Sequence, residues 1–171
     1  VTAGGMGSKV VLLDLNPKVI ERAKKEITKR LGSVLSRNVT YQVSNFQILA
    51  KWVSRADLLI GAVLIPGTKA PQVVTEIMIK SMQKGSVVVD VSIDQGGCIW
   101  GSHATTHRHP IYDLEGKVFC CITNMPGQVA HQTRDRPFFP QGPSLRGSNL
   151  LLGIKRAKLG AELIAKRGKP R

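Results

Sequence analysis

A chain of 171 residues, 42% of them hydrophobic, is long enough for one domain with its own core, and no apolar run approaches the roughly 20 residues of a membrane-spanning helix. With no basic-then-apolar leader at its start, it reads as intracellular and cytoplasmic, away from the membrane. The formal charge of +14 is lopsided: residues 133–171 hold 10 Lys/Arg against 2 Asp/Glu, more than half of the excess, without the interleaved aromatics or recognisable module of a specific nucleic-acid binder.

The chain opens on Gly4-Gly5-Met6-Gly7, its nearest approach to a glycine-rich phosphate loop. Such a loop follows one strand and opens a helix, so that amides at the helix N-terminus meet a pyrophosphate. Here no strand precedes the glycines and a strand follows them. They read as the turn into the second strand of a dinucleotide fold, with the first strand, the phosphate loop and most of the first helix expected upstream of Val1. Val1 in place of an initiator Met agrees with a fragment begun partway into a domain.

Lys9–Asp14, KVVLLD, is a short apolar run ending in an acid, followed by the helix-start signal Asn16-Pro17. The helix expected over residues 17–31 carries Val19, Ile20, Ala23, Ile27 and Leu31 on one face and closes at Gly32. An acid ending a second strand accepts hydrogen bonds from adenosine ribose hydroxyls and disfavours a 2′-phosphate, which points to NAD rather than NADP. The alternative for Asp14 is a strand-end residue capping the next helix. Val39–Val43 is a candidate strand, and Ser44-Asn45 offers a cap for a helix carrying Phe46, Ile48, Leu49, Trp52 and Val53.

Residues 57–97 are the most informative stretch. Residues 58–64 and 86–93 are apolar and Val-rich, as strands of a parallel sheet covered on both faces are. Ala70-Pro71 marks a helix start between them, with Val73, Val74, Ile77, Met78 and Met82 at helical spacing. The unit is therefore βαβ, with Asp94 at its exit, where ligands bind in such sheets. A Gly-, His- and Thr-rich connection leads to a strand over 118–122 and then to Asn124-Met125-Pro126-Gly127. The alternation predicts a Rossmann-like α/β fold, a parallel sheet with helices on both faces. Cys98, Cys120 and Cys121 have no C-x-x-C spacing, so neither a disulfide framework nor a zinc site is expected.

GAVLIPGTKAP at 61–71, GSVVVDVSIDQGGC at 85–98 and NMPG at 124–127 closely resemble the alanine dehydrogenases, with the nicotinamide nucleotide transhydrogenase alpha subunits as the nearer alternative. The resemblance covers residues 3–132 and implies an NAD-binding domain of a two-domain enzyme that oxidises L-alanine to pyruvate and ammonia, a homo-oligomer in the family. It implies that Asp14 holds the adenosine ribose and Ser44 borders the adenine. It further implies that Val63 and Leu64 line the cofactor groove and that Val91, Ser92, Ile93, Asp94, Ile122, Thr123, Asn124 and Met125 approach the nicotinamide. Asp94 matches the catalytic aspartate. An acid suits that place, because oxidation develops positive charge on the imine nitrogen and the later attack of water needs proton transfer.

Three departures from the family pattern stand out. His103 replaces an arginine after DQGGC, Val19 replaces a basic residue after Asp14, and the segment between Asp14 and Ser44 is longer. His103, His107 and His109 form H-x3-H-x-H, which on paper suits a metal, but the loop aligns with one that needs none, and no metal site is expected. After Gln132 the match stops, dividing the chain into a partial NAD-binding domain, 1–132, and a divergent basic tail, 133–171. Asn149 is placed to cap a helix over 149–167, with Leu150, Ile154, Ala157, Ala161 and Ile164 on one stripe. The other functional readings are an inactive dehydrogenase-like domain and a transhydrogenase-like exchange of hydride between nucleotides.

Overall fold

The computed structural model describes residues 1–65, 67–125 and 149–155. Thr2–Gly5 (α1) is one helical turn, so Gly4 and Gly5 are helical rather than part of the expected turn, and only Met6 and a left-handed Gly7 (φ 83°) turn the chain into Lys9–Asp14 (β1). Five of the six β1 residues are buried, in keeping with its unbroken apolar run. Pro17–Leu35 (α2) starts on Asn16, whose side chain accepts from Lys18 N at 2.9 Å, and is broken at Gly32 (φ 74°, ψ 171°) where its end was expected. Val39–Val43 (β2) and Phe46–Val53 (α3) follow, the latter capped by Asn45, which accepts from Ile48 N at 2.8 Å.

Leu58–Val63 (β3), Glu76–Ser81 (α4), Val87–Asp90 (β4), the hairpin Ile111–Leu114 (β5) and Lys117–Cys120 (β6), and Asn149–Lys155 (β7) complete the described elements. They form one seven-stranded sheet of order β2-β1-β7-β3-β4-β6-β5. β1 with β2, β3 with β4, and β4 with β6 are parallel, while β5 and β7 run antiparallel to their neighbours. The core fills with Leu59, Val63, Val74, Met78, Ile79, Val88, Ile93, Cys98, Phe119 and Cys121, among others. No helix is long and apolar enough to cross a membrane among the described residues.

Four expectations need correction. The helix between β3 and β4 does not begin at Pro71 but at Glu76. Val73 N donates to Cys98 O at 2.9 Å, Trp100 N donates to Val74 O at 2.9 Å, and Val74 forms a parallel bridge with Ile99. A nearby extended edge supplies those backbone groups with partners, and two consecutive β-branched residues favour the extended form over the first helical turn. β4 stops at Asp90 rather than running to residue 93, because the Asp90 side chain accepts from Ser92 N at 2.9 Å and Val91–Gln95 turns into a 3-10 helix. β5 was not anticipated inside the loop before β6. Its signal was Glu115-Gly116, both at positive φ (54° and 72°), the backbone of a tight two-residue hairpin.

The largest correction concerns the tail. Residues 149–155 of the expected 149–167 helix form a strand, and residues 156–167 lie outside the described residues. β7 takes the place between β1 and β3 that the first strand of a doubly wound sheet occupies, in the opposite direction. There a strand gives partners to two rows of backbone N–H and C=O groups, on β1 and on β3, that a helix would leave unmet. The Leu150-Leu151-Leu152 run is as compatible with a strand as with a helix stripe.

Gly61 in β3 is required by packing: a Cβ there would lie 2.5 Å from Cys98 Sγ and 2.9 Å from Ile99 Cδ1. Gly61→Ala is expected to cost about 1–3 kcal/mol, as overpacking in a filled core does. Urea unfolding of the two proteins would measure it, and an unchanged midpoint would contradict this packing.

Candidate functional site

The parallel strands carry the sequence-predicted residues to one end of the sheet, in two groups on either side of β7. Asp14 and Ser44 form the first. They end β1 and follow β2, joined by Ser44 N donating to the Asp14 carbonyl at 2.8 Å. The Asp14 side chain is only 1% exposed, and its Oδ1 accepts from Asn16 N at 2.7 Å, stabilising the turn into α2.

Val63, Leu64, residues 91–94 and residues 122–125 form the second group. Gly61 pairs with Asp90 in the register of β3 and β4, and Val63 N donates to Ser92 Oγ at 2.7 Å, which draws the ends of the two strands together. Val63, Ser92 and Ile93 are buried under this junction, whereas Leu64 and Val91 are 37% and 46% exposed and offer two apolar side chains at its surface. Asp94 is exposed, and both its carboxylate oxygens lie 3.2 Å from Asn124 N, the donor. Asn124 holds a left-handed φ of 51°, and Ile122 is fixed by a bridge to Thr105. The exit of β4 and the exit of β6 are thereby fastened to each other through Asp94. Thr123 is exposed and Met125 half-buried at the edge of this group, while Pro126 and Gly127 lie outside the described residues.

Several contributors were not evident from the sequence pattern. Asp90 is wholly buried, accepting from Ser92 N on Oδ1 and from Cys98 N (2.8 Å) and Ile99 N (3.0 Å) on Oδ2. Its signal was an acid inside a Val-rich run, where only a group with several donors around it is tolerated. Lys69 lays its stem over Gly96, where a Cβ would come within 2.6 Å of Lys69 Cε, and Ala70 N donates to Gln95 O at 2.9 Å. Gln95 Oε1 is buried with no hydrogen-bond partner among the described residues.

Whether a dinucleotide fits can be judged half by half. At the β3–β4–β6 end, the exposed Leu64 and Val91 and the carboxylate of Asp94 suit a flat ring bearing an amide. At the β1–β2 end the fit is poorer, since Asp14 is covered and a ribose hydroxyl has no access to its carboxylate in this conformation. The His103 ring stacks on Tyr112 at 3.7 Å between centroids, and His103 N donates to the Tyr112 hydroxyl. Among the described residues no group of three or more His, Cys, Asp or Glu comes together that could hold a metal.

The same blocks of sequence that build this junction decide the relationship. The family described as alanine dehydrogenase/PNT, C-terminal domain, matches residues 1–135. The chain belongs to that family. Alanine dehydrogenase from Methanococcus maripaludis is 46% identical over 129 residues, which are 75% of this chain and 32% of the relative. Among solved structures, an L-alanine dehydrogenase superposes with a TM-score of 0.63 at 39% identity, covering 75% of this chain and 33% of that one. A transhydrogenase from Sinorhizobium meliloti superposes with a TM-score of 0.55 at 27% identity, covering 69% and 32%. The chain thus spans about a third of the length of the alanine dehydrogenases it matches.

Cys98 and Cys121 are buried and Cys120 is half-buried, none of them in a disulfide. Burial, with Asp90 beside it, pushes the Cys98 thiol from 9.0 up to about 12, and burial also raises Cys120 and Cys121. The folded chain keeps a proton on Cys98 that the unfolded chain releases above pH 9.0, so this contribution to stability is present below 9.0 and is lost as pH rises toward 12. Urea melts on both sides of pH 9.0 should show stability falling on the alkaline side, and less steeply in Cys98→Ala. Identical alkaline slopes in the two proteins would rule out a raised Cys98.

Proposed function

We propose that this chain is the NAD-binding portion of an alanine dehydrogenase, and that the junction of β3, β4 and β6 receives the nicotinamide half of the cofactor. The observation that carries the reading is the exposed Asp94 carboxylate, held against Asn124 N beside the apolar Leu64 and Val91. Val63, Ser92 and Ile93 shape the floor beneath them, and Ile122, Thr123, Asn124 and Met125 border the other side. Asp14 and Ser44 are assigned to the adenosine end, where Asp14 must first be uncovered.

NAD, when bound, supplies the hydride acceptor, and the chain's own residues supply position and charge. Loss of hydride from the alpha carbon of L-alanine leaves an iminium whose positive charge a nearby carboxylate stabilises. Water then adds to that carbon, and Asp94 accepts a proton as the tetrahedral adduct forms and breaks down to pyruvate and ammonia. The substrate is proposed to be held by a second domain of the complete enzyme, which is in turn proposed to be a cytoplasmic homo-oligomer. The transhydrogenase reading is the weaker alternative, given its lower identity and poorer superposition.

The 171 residues alone are expected to bind NADH weakly and to show negligible alanine-dependent NADH formation, because hydride transfer needs both reactants held together. Measurable turnover by the isolated chain would refute this. In a chain completed with its substrate domain, Asp94→Asn should lower turnover by about 10²–10⁴-fold, the usual contribution of a positioned acid–base group. Near-normal kcat with L-alanine would remove Asp94 from catalysis.

A further inference from the structure

Asp90 is a fully buried acid at the last position of a strand, with three backbone amides directed at its carboxylate. Oδ1 accepts from Ser92 N at 2.9 Å and lies 3.5 Å from the Cys98 thiol, while Oδ2 accepts from Cys98 N at 2.8 Å and Ile99 N at 3.0 Å. These bonds close the chain from 90 to 99 into a loop around one carboxylate. Inside it, Gly96 N donates to Ile93 O and Gly97 N to Ser92 O, each at 3.0 Å. Asp94 sits at the crown of that loop and reaches out to Asn124 N. The same Ser92 that donates to Asp90 accepts from Val63 N through its hydroxyl, so the loop is tied to the groove floor as well.

We infer that Asp90 is the positioning residue for Asp94: its carboxylate, by gathering the Ser92, Cys98 and Ile99 amides, fixes the loop that presents Asp94 to Asn124 and holds Val63 against Ser92. No shorter or neutral side chain can do this. An asparagine at the position has one acceptor oxygen and one NH2 group, so an N–H donor must face at least one of the three amides. Keeping the oxygen where two amides converge leaves the Ser92 amide opposed by a donor. Ser92 then withdraws, and with it both the Val63 link and the turn that carries Asp94. Gly97 belongs to the same device, since a Cβ there would lie 3.1 Å from Asp90 Oδ2. The importance of this for hydride transfer rests on the reading of Asp94 given above, whereas the positioning itself does not.

The test uses the whole 171-residue chain, labelled for amide NMR. In the unaltered chain the Asn124 amide shift should follow the protonation of Asp94 during an acid titration, because its N–H is bonded to that carboxylate. Asp90→Asn is expected to reduce that titration shift several-fold and to move the Ser92 and Val63 amides, while the amides of α2 and α3 stay in place. A folded Asp90→Asn chain with the Asn124 titration intact overturns the inference. If the variant does not fold, rising urea below global unfolding of the unaltered chain decides. Ser92, Cys98 and Ile99 should lose exchange protection together, and the Asn124 titration should vanish with them. Its persistence after they have opened would equally overturn the inference. Neither readout involves NAD or alanine, so a chain that binds no NADH would count against the proposed function alone.

Discussion

One carboxylate with no access to water organises the working end of this sheet. Asp90 closes β4, and hydrogen bonds from amides to a charged group are each worth about 1.5–3 kcal/mol against the cost of burying it. Because those amides belong to residues on both sides of the Asp94 turn, the carboxylate sets the path of the loop. Cys98 and Ile99 are brought so close to β3 that only glycine fits at 61, and Gly97 is pressed against Asp90 itself. Cys98 is consequently a packing residue whose thiol stays protonated, although its place beside Asp94 in sequence invites a chemical role.

The sheet holds two clusters of candidate site residues that differ in character. On the β3, β4 and β6 side, loops are tied to one another through side chains: Ser92 to Val63, Asp94 to Asn124, Lys69 over Gly96. On the β1 and β2 side, Asp14 turns inward and serves the start of α2. A dinucleotide spans such a pair of clusters in a doubly wound sheet, with its pyrophosphate over the strand between them. Here that strand is β7, and it runs the other way, so it presents its N-terminal end where the first strand of such a sheet presents its C-terminal end.

Most of the fold was legible because its signals are local. The apolar run of β1, the Asn16-Pro17 start and Gly32 break of α2, and the Asn45 cap of α3 are each set by a few adjacent residues. The errors arise where a distant partner decides. Val73 and Val74 match a helix stripe, but the 98–100 segment captures their backbone, and Leu150 to Leu152 match one too, until two open strand edges are considered. For the site, the family blocks led directly to Asp94 and its surroundings. Asp90 was passed over as part of a strand, since a sequence does not reveal how many donors converge on a buried acid. Lys69 was missed because its contact is made through a glycine that carries no side chain.

The antiparallel strand at the centre of the sheet has a bearing on the order of assembly. Lys9 pairs with Lys155, while β1 with β2 and β3 with β4 are joined by much shorter connections. Contacts closing long loops form late, after the entropy of closure is met. Within these residues the β1–β2 and β3–β4 pairings therefore have the lower cost of closure, and the pairings of β7, which join distant parts of the chain, have the higher. Any other extended strand that reached the inner edges of β1 and β3 would compete with β7 for the same backbone partners. The basic residues flanking β7 in sequence, Arg146 before it and Arg156 and Lys158 after it, add like charges to that segment, which disfavours its pairing with a second copy of itself.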